Sequence, residues 1–330
     1  TPKKLELTEK IIQDLYRFAL KNKIGLLFLE SLEKIYDITF LKDELKEQQN
    51  LQNLQRGTFC RTINVVSKIK CNYAVVKTIF PFSAIPNDID IIILDNDLMY
   101  KKVIEQLVEN NFHILGEAPL EVNLRDMTTA KTKDPEAKQW EDIDIYKEIG
   151  ASHLTYMDKT KFVKYLVMEN VNGIDVMVLS NPAELAVSIF HALYPERIYT
   201  LLLHFNILYK IKNMNSDDIQ DFVTICNEQN MTNVVLETLR VTESIQELCF
   251  NEIPEQLHNI REKFGMKEKT TLHKIPYIFP IRVMLNSFWE KKFERKFVYS
   301  MLRQSIALFN PKTADFVIKQ YKDRSIRDTY

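Results

Sequence analysis

The sequence predicts an α+β protein, a small mixed β-sheet flanked by N-terminal and C-terminal helical regions. Three observations predict it. Apolar residues recur at helical spacing before residue 70. Strand-like runs cluster between Tyr73 and Leu179, and helical spacing returns after that point. The expected organisation is a helical region over residues 1–70, an α/β core over 71–180 and a helical domain over 181–330.

Residues 8–36 carry the first helical pattern, with Thr8 as N-cap and Ile11, Leu15, Phe18 and Ala19 on one apolar face. Residues 41–69 begin polar and Gln-rich, then place Phe59, Ile63 and Val66 at helical spacing, with Gly57 as an expected break. Tyr73 to Val76 reads as a strand. A polar loop follows, then Asp88-Ile-Asp-Ile-Ile-Ile-Leu94, a second strand apolar on both faces beyond the acids. Asp97 is placed to cap a helix over Leu98–Asn110, and capping is preferred over a metal role for Asp95 and Asp97. Phe112 to Leu115 reads as a short strand, and 117–140 as a mobile loop or extended edge. Ile143 to Tyr146 is another strand, 160–168 a short amphipathic segment, and Val171 to Leu179 a Gly-marked turn into a strand. Asn181-Pro182-Ala183-Glu184 signals a helix start, with Asn as N-cap and Pro at the first helical position. Helices are expected over 182–193, 197–212, 216–228, 231–248, 254–264, 281–309 with a break, and 313–322.

The composition narrows the function classes. At 330 residues, 45% apolar and 27% charged, with a net charge of −1, the chain has no global charge that steers it to nucleic acid or membrane. No apolar run is long enough to span a bilayer. Cys60, Cys71, Cys226 and Cys249 show no CxxC spacing and read as buried thiols of a reducing compartment. With TPKKLELTEK lacking an apolar signal segment, the expected location is cytoplasmic. Only 6 glycines occur, and no Gly-rich nucleotide loop is present.

Chemistry concentrates in the carboxylates. Side chains two apart on a strand share a face, so Asp88 and Asp90 project together. Two carboxylates beside a buried run are costly unless paired or bound to a cation, and a hard divalent ion takes such oxygens. Asp144 adds a third carboxylate from a neighbouring strand. Asp142, which shares its face, and Asp175, which follows a Gly turn, are the alternatives. Three such groups suit metal-assisted phosphoryl transfer. Upstream, Lys77, Thr78 and Ser83 are placed to meet phosphate oxygens. His191 and His204 lie on apolar helices and read as core or groove residues, and Lys147 as an exposed lysine.

These residues resemble the nucleotidyltransferase superfamily with a polymerase-beta-like core: a strand, a small turn, a loop and a D-h-D-h strand. Within it the chain looks closest to an uncharacterised family whose strand ends in Leu-Lys-Gly before D-[LI]-D. Val76-Lys77-Thr78 and Asp88-Ile89-Asp90 stand at those positions. Asn111-Phe112, Ile143-Asp144-Ile145-Tyr146-Lys147, Leu179-Ser180-Asn181-Pro182 and His191 follow in the family's order. The likeness covers about residues 10–212. It implies Asp88, Asp90 and Asp144 as ligands of Mg2+ (or Mn2+) and as the catalytic acids, with Lys77, Thr78 and Ser83 contacting a nucleoside triphosphate. Two departures stand out: Thr78 replaces the small Gly, and Tyr146 replaces the family's His.

Residues 261–330 hold 16 Lys and Arg against 7 Asp and Glu. Lys291, Lys292, Arg295, Lys296 and Arg303 interleave with Phe288, Trp289, Phe293, Phe297 and Tyr299. This pattern suits the path of a polyanion or, equally, a solvated face over an aromatic core. The expected activity is transfer of an NMP from an NTP to a hydroxyl, an RNA (tRNA) end being favoured, with release of pyrophosphate. The alternatives are an inactive RNA- or protein-binding module, a protein-modifying AMP transferase and a toxin-type transferase. No motif specifies the nucleotide, the acceptor or the oligomeric state.

Overall fold

A computed structural model describes residues 7–134, 137, 139–265, 274–311 and 314. The fold is α+β. Its helices are α1 (Glu9–Lys21), α2 (Gly25–Glu33), α3 (Lys42–Val66), α4 (Asp97–Glu109), α5 (Asn181–His191), α6 (Leu201–Lys212), α7 (Ser216–Glu228), α8 (Thr232–Phe250), α9 (Glu255–Lys263), α10 (Ile281–Glu290) and α11 (Arg295–Ala307). The strands are β1 (Tyr73–Val76), β2 (Ile89–Ile93), β3 (Phe112–Ala118), β4 (Glu121–Asp126), β5 (Asp142–Tyr146), β6 (Ile149–Ala151), β7 (Leu154–Met157), β8 (Leu166–Val171), β9 (Ile174–Leu179), β10 (Ile198–Tyr199) and β11 (Tyr277–Ile278). Seven strands form one mixed sheet in the order β3-β4-β5-β2-β1-β9-β8. The β2–β5 and β1–β9 pairs are parallel and the others antiparallel.

The period-two alternation of the central strands sorts the core. Val75, Ile89, Ile91, Ile93, Ile143 and Ile145 pack beneath α3 and α4, against Phe59, Ile63, Val66, Val103 and Leu107. Ala74, Val76, Ile92 and Tyr146 face the other way, into a core shared with α5 and the later helices. On this second face, apolar residues fill one end of the strands and carboxylates the other. The N-terminal helices build their own cluster from Ile12, Tyr16, Leu26, Leu29, Leu41 and Leu45.

Several local expectations are corrected. Ala19 is buried as expected, but Ile11, Leu15 and Phe18 are exposed, and α1 buries Ile12 and Tyr16 in their place. Helix α3 runs unbroken through Gly57. The cost of a helical Gly, about 1 kcal/mol, is small beside the burial of Phe59, Ile63 and Val66. The cap of α4 is Asn96, whose Oδ1 accepts from Leu98 N and Met99 N, and Asp97 is the first helical residue. Ser180, not Asn181, is the N-cap of α5.

Two strands differ from the sequence reading. Within the segment expected as a loop or an extended edge, Glu121–Asp126 forms β4, an interior strand with ladders to β3 on one side and β5 on the other. The amphipathic segment is a 3-10 turn, Lys159–Tyr165, followed by edge strand β8. Strands β8 and β9 form a hairpin through Asn172 (φ 53°) and Gly173 (φ 83°), the left-handed pair that a two-residue hairpin favours. The helix expected over 313–322 lies outside the described residues apart from Ala314. Among the described residues, no helix is long and apolar enough to cross a membrane.

The loop between β1 and β2 is packed down on its surroundings. Ala84 sits in a cluster with Ala19, Ile24 and Leu202, against which Phe80, Phe82 and Phe205 pack. Ile85 belongs to the N-terminal cluster. From the Gln-rich part of α3, Gln55 Nε2 donates to Pro86 O at 2.6 Å and Gln52 Nε2 to Ala84 O at 3.4 Å. The polar stretch of α3 thus fixes the approach of the chain to Asp88.

Candidate functional site

Strand register brings the predicted acids together. Asp90 on β2 stands beside Asp144 on the parallel strand β5, and Asp88 lies two residues earlier on the same side. Asp88 and Asp144 are half-buried, and Asp90 is buried. Strand β4 adds two polar side chains to this face, since Asn123 pairs with Asp144 and Glu121 with Tyr146 in register.

Charge is crowded here. Burial, followed by the charges of Asp90 and Asp142, pushes the Asp88 carboxyl up to about 7, with Lys23 and Lys77 opposing the rise. Burial and then Asp88, Asp90 and Glu121 push Asp144 well up, while the amide of Asn123 pulls it back. Glu121 rises through burial, with Asp90 adding and Lys77 opposing. Burial and the charges of Asp90 and Asp144 raise the Tyr146 phenol as well.

Lys77 supplies the counter-charge. Its Nζ lies 3.2 Å from Asp90 Oδ1 and 5.4 Å from the centre of the Tyr146 ring. Its backbone is left-handed (φ 54°), and its N–H donates to Glu184 Oε1 at 2.8 Å from the first turn of α5. Glu184 is buried, and its Oε2 has no hydrogen-bond partner among the described residues. Thr78 does not present its hydroxyl outward. Oγ1 donates to Val76 O and accepts from Asp90 N, both at 3.0 Å, so the hydroxyl proton is committed to the backbone. Ser83 sits half-buried in the packed loop between Phe82 and Ala84.

The alternatives for the third carboxylate are placed differently. Asp142 is held by Arg125, with Nε to Oδ1 at 2.6 Å and Nη2 to Oδ2 at 2.9 Å. Asp175 lies on the β8–β9 hairpin, accepting from Asn170 Nδ2 at 2.9 Å. Asp95 braces the start of β1 through Asn72, and Asp97 pairs with Lys147 at 2.6 Å. His204 is a core residue between Tyr199 and Gln246, with its pKa lowered to about 4 by burial.

As it stands, no group of three His, Cys, Asp or Glu side chains among the described residues is arranged to hold a metal ion. The reason is visible in the partners. Asp90 Oδ1 faces Lys77, Asp144 Oδ1 accepts from Asn123, and Asp144 Oδ2 accepts from Tyr146 Oη at 3.3 Å. The donor chemistry nevertheless suits a hard divalent cation, because adjacent carboxylates that raise one another's pKa relieve their repulsion on binding one.

The basic C-terminal cluster divides in two. Lys291 is buried, donating to Gln229 O and pairing with Glu294, and Lys296 pairs with Asp158 at 2.6 Å. Lys292, Arg295 and Arg303 are exposed. Lys292 Nζ lies 3.7 Å from the Trp289 ring centre, and Trp289, Phe293 and Tyr299 are exposed, whereas Phe288 and Phe297 pack inward.

Sequence reasoning missed Glu121, Asn123, Arg125 and Glu184. A signal existed for the first three. Glu121-Val-Asn-Leu-Arg125 alternates polar and apolar residues as a half-buried strand does. Comparison of the chain with models of known protein families, with curated proteins and with solved structures found no match.

Proposed function

We propose that the protein is a divalent-metal-dependent nucleotidyltransferase, in keeping with the resemblance its motifs bear to that superfamily. The observation that carries this reading is the pairing of Asp90 with Asp144 on adjacent parallel strands, with Asp88 beside them. Asp88, Asp90 and Asp144 would hold Mg2+ or Mn2+, which when bound neutralises triphosphate charge and makes a hydroxyl easier to deprotonate. The acceptor oxygen bonds to the α-phosphorus of the NTP, the bond to the β-phosphate oxygen breaks, and pyrophosphate leaves. Asp144 receives the acceptor's proton. Lys77 exchanges its contact with Asp90 for a phosphate oxygen, and its left-handed backbone, fastened to Glu184, sets where its side chain starts.

An RNA end is the acceptor this proposal favours, supported by exposed Lys292, Arg295 and Arg303 beside exposed Trp289, Phe293 and Tyr299. Four free cysteines support a cytoplasmic location. A second reading has its own observation. Lys77, Asn123 and Tyr146 satisfy the carboxylates internally, as an inactive binding module would.

The deciding experiment incubates the protein with each labelled NTP, Mg2+ and total RNA or lysate. The transferase reading expects label on an acceptor. It expects that label to vanish in Asp88→Asn/Asp90→Asn, with the circular dichroism and melting profile retained. Wild-type protein that labels nothing with any NTP decides for the binding module.

A further inference from the structure

The chain leaves the sheet at Lys77 in a way its own sequence does not favour. Val76 still pairs with Asp90 in the β1–β2 ladder, and the next residue turns left-handed (φ 54°). Neither glycine nor asparagine stands there to accept that backbone, and no helix ends at this point. Such a conformation persists where the surrounding structure enforces it, and it collects at functional positions.

Two contacts enforce it. The following residue, Thr78, is tied to β2, because its Oγ1 accepts from Asp90 N at 3.0 Å. The N–H of Lys77 itself leaves the ladder and donates to Glu184 Oε1 at 2.8 Å. Topology puts Glu184 within reach. Strand β9 runs parallel to β1, so α5, which follows β9 through the Ser180 cap, starts beside the end of β1. Glu184 is 7% exposed. Its Oε1 serves the Lys77 N–H, with Ser188 Oγ more distant at 3.5 Å, and its Oε2 has no hydrogen-bond partner among the described residues. A buried carboxylate is costly, and this one spends its short hydrogen bond on a main-chain N–H instead of on the ammonium of the same lysine. That ammonium is left to the acidic site, where Nζ lies 3.2 Å from Asp90 Oδ1.

We infer that Glu184 is a positioning residue of the proposed triphosphate site, holding the Lys77 main chain left-handed so that the ammonium points to Asp90 and stays free to take a phosphate oxygen. The inference rests on the transferase reading and adds to it a role for a helix residue 107 positions after Lys77. A main-chain N–H needs an acceptor oxygen and not a charge, so Gln should serve in place of Glu184 and an apolar residue should not. The competing explanation is a tie between β1 and α5 that serves stability alone.

The probe is inorganic tripolyphosphate with Mg2+, measured by calorimetry on the full chain beside its melting profile. Glu184→Met is expected to weaken binding about tenfold, and Glu184→Gln to stay within about threefold of wild type. In a Lys77→Met background, Glu184→Met is expected to add less than about twofold, because it acts only through the Lys77 ammonium. Should Glu184→Met fail to fold, Glu184→Ala, which leaves room for a water at the N–H, replaces it with the same expectations. A folded variant with lowered Tm and wild-type affinity overturns the inference and leaves the tie. So does a loss in Glu184→Gln equal to that in Glu184→Met, which assigns the effect to charge, and so do losses at Glu184 and Lys77 that multiply. Wild type that transfers label, while it binds no tripolyphosphate or Glu184→Met binds it normally, sinks only the role of Glu184. Wild type that binds no tripolyphosphate and transfers no label sinks the transferase reading itself.

Discussion

Two cation–carboxylate pairs sit on one face of the sheet and are built to opposite ends. Arg125 and Asp142 form a closed unit. The guanidinium is fully buried, and its five N–H donors are all spent, on both oxygens of Asp142 and on the carbonyls of Thr132, Asp134 and Ala137. Lys77 and Asp90 form an open one. A single ammonium faces Asp90 while Asp88, Glu121, Glu184 and Glu196 also feel its charge. The first pair has as many donors as acceptors. The second has more carboxylate than cation. Carboxylates saturated by a guanidinium and carbonyl cage shape the sheet, and carboxylates left in excess are the ones with capacity for a further cation.

Arg125→Met tests the closed pair and carries the largest expected effect. It leaves Asp142 and three carbonyls without their donor, and should cost about 3–5 kcal/mol in urea unfolding. A loss under about 1 kcal/mol would erase the contrast. Asp88→Asn tests the open site and should move stability the other way. Removing one of several repelling charges is expected to raise stability by about 1 kcal/mol in chelator-treated protein. Destabilisation on the scale of Arg125→Met would mean that Asp88 serves the fold. Asp175→Asn is the control, on the exposed hairpin with Asn170 as its partner. It should change neither label transfer nor stability by more than about 0.5 kcal/mol. A larger loss of transfer would return Asp175 to the site.

Much of the fold was legible because it rests on local rules. Helix α7 starts with a full capping box at Asn215 and Asp218, and its bounds follow directly from the chain. The alternation of Asp88-Ile-Asp-Ile-Ile-Ile predicts both the shared face of the acids and the buried face opposite. Strands β4 and β8 were harder. Strand β4 is short and half polar, and one of its two ladders runs to β5, beyond an intervening segment. Strand β8 is a largely exposed edge strand on which burial imprints no period, although its partner β9 follows directly through Asn172-Gly173. The choice of cap shows the same limit. Asn96, Asp97, Ser180 and Asn181 are all capable N-caps by type, and only the backbone path decides between neighbours.

By itself, then, the sequence determined the helical and strand periods, the pairing of Asp88 with Asp90 on one face and the presence of a third strand acid. Those properties depend on residues within a few positions of one another. The tertiary structure decided which acid joins them, because parallel register sets Asp144 beside Asp90 while Arg125 encloses Asp142. It also decided that Glu184 of α5, more than a hundred residues away, accepts the backbone N–H of Lys77. Long-range juxtaposition depends on how whole elements pack, and no spacing along the chain encodes it.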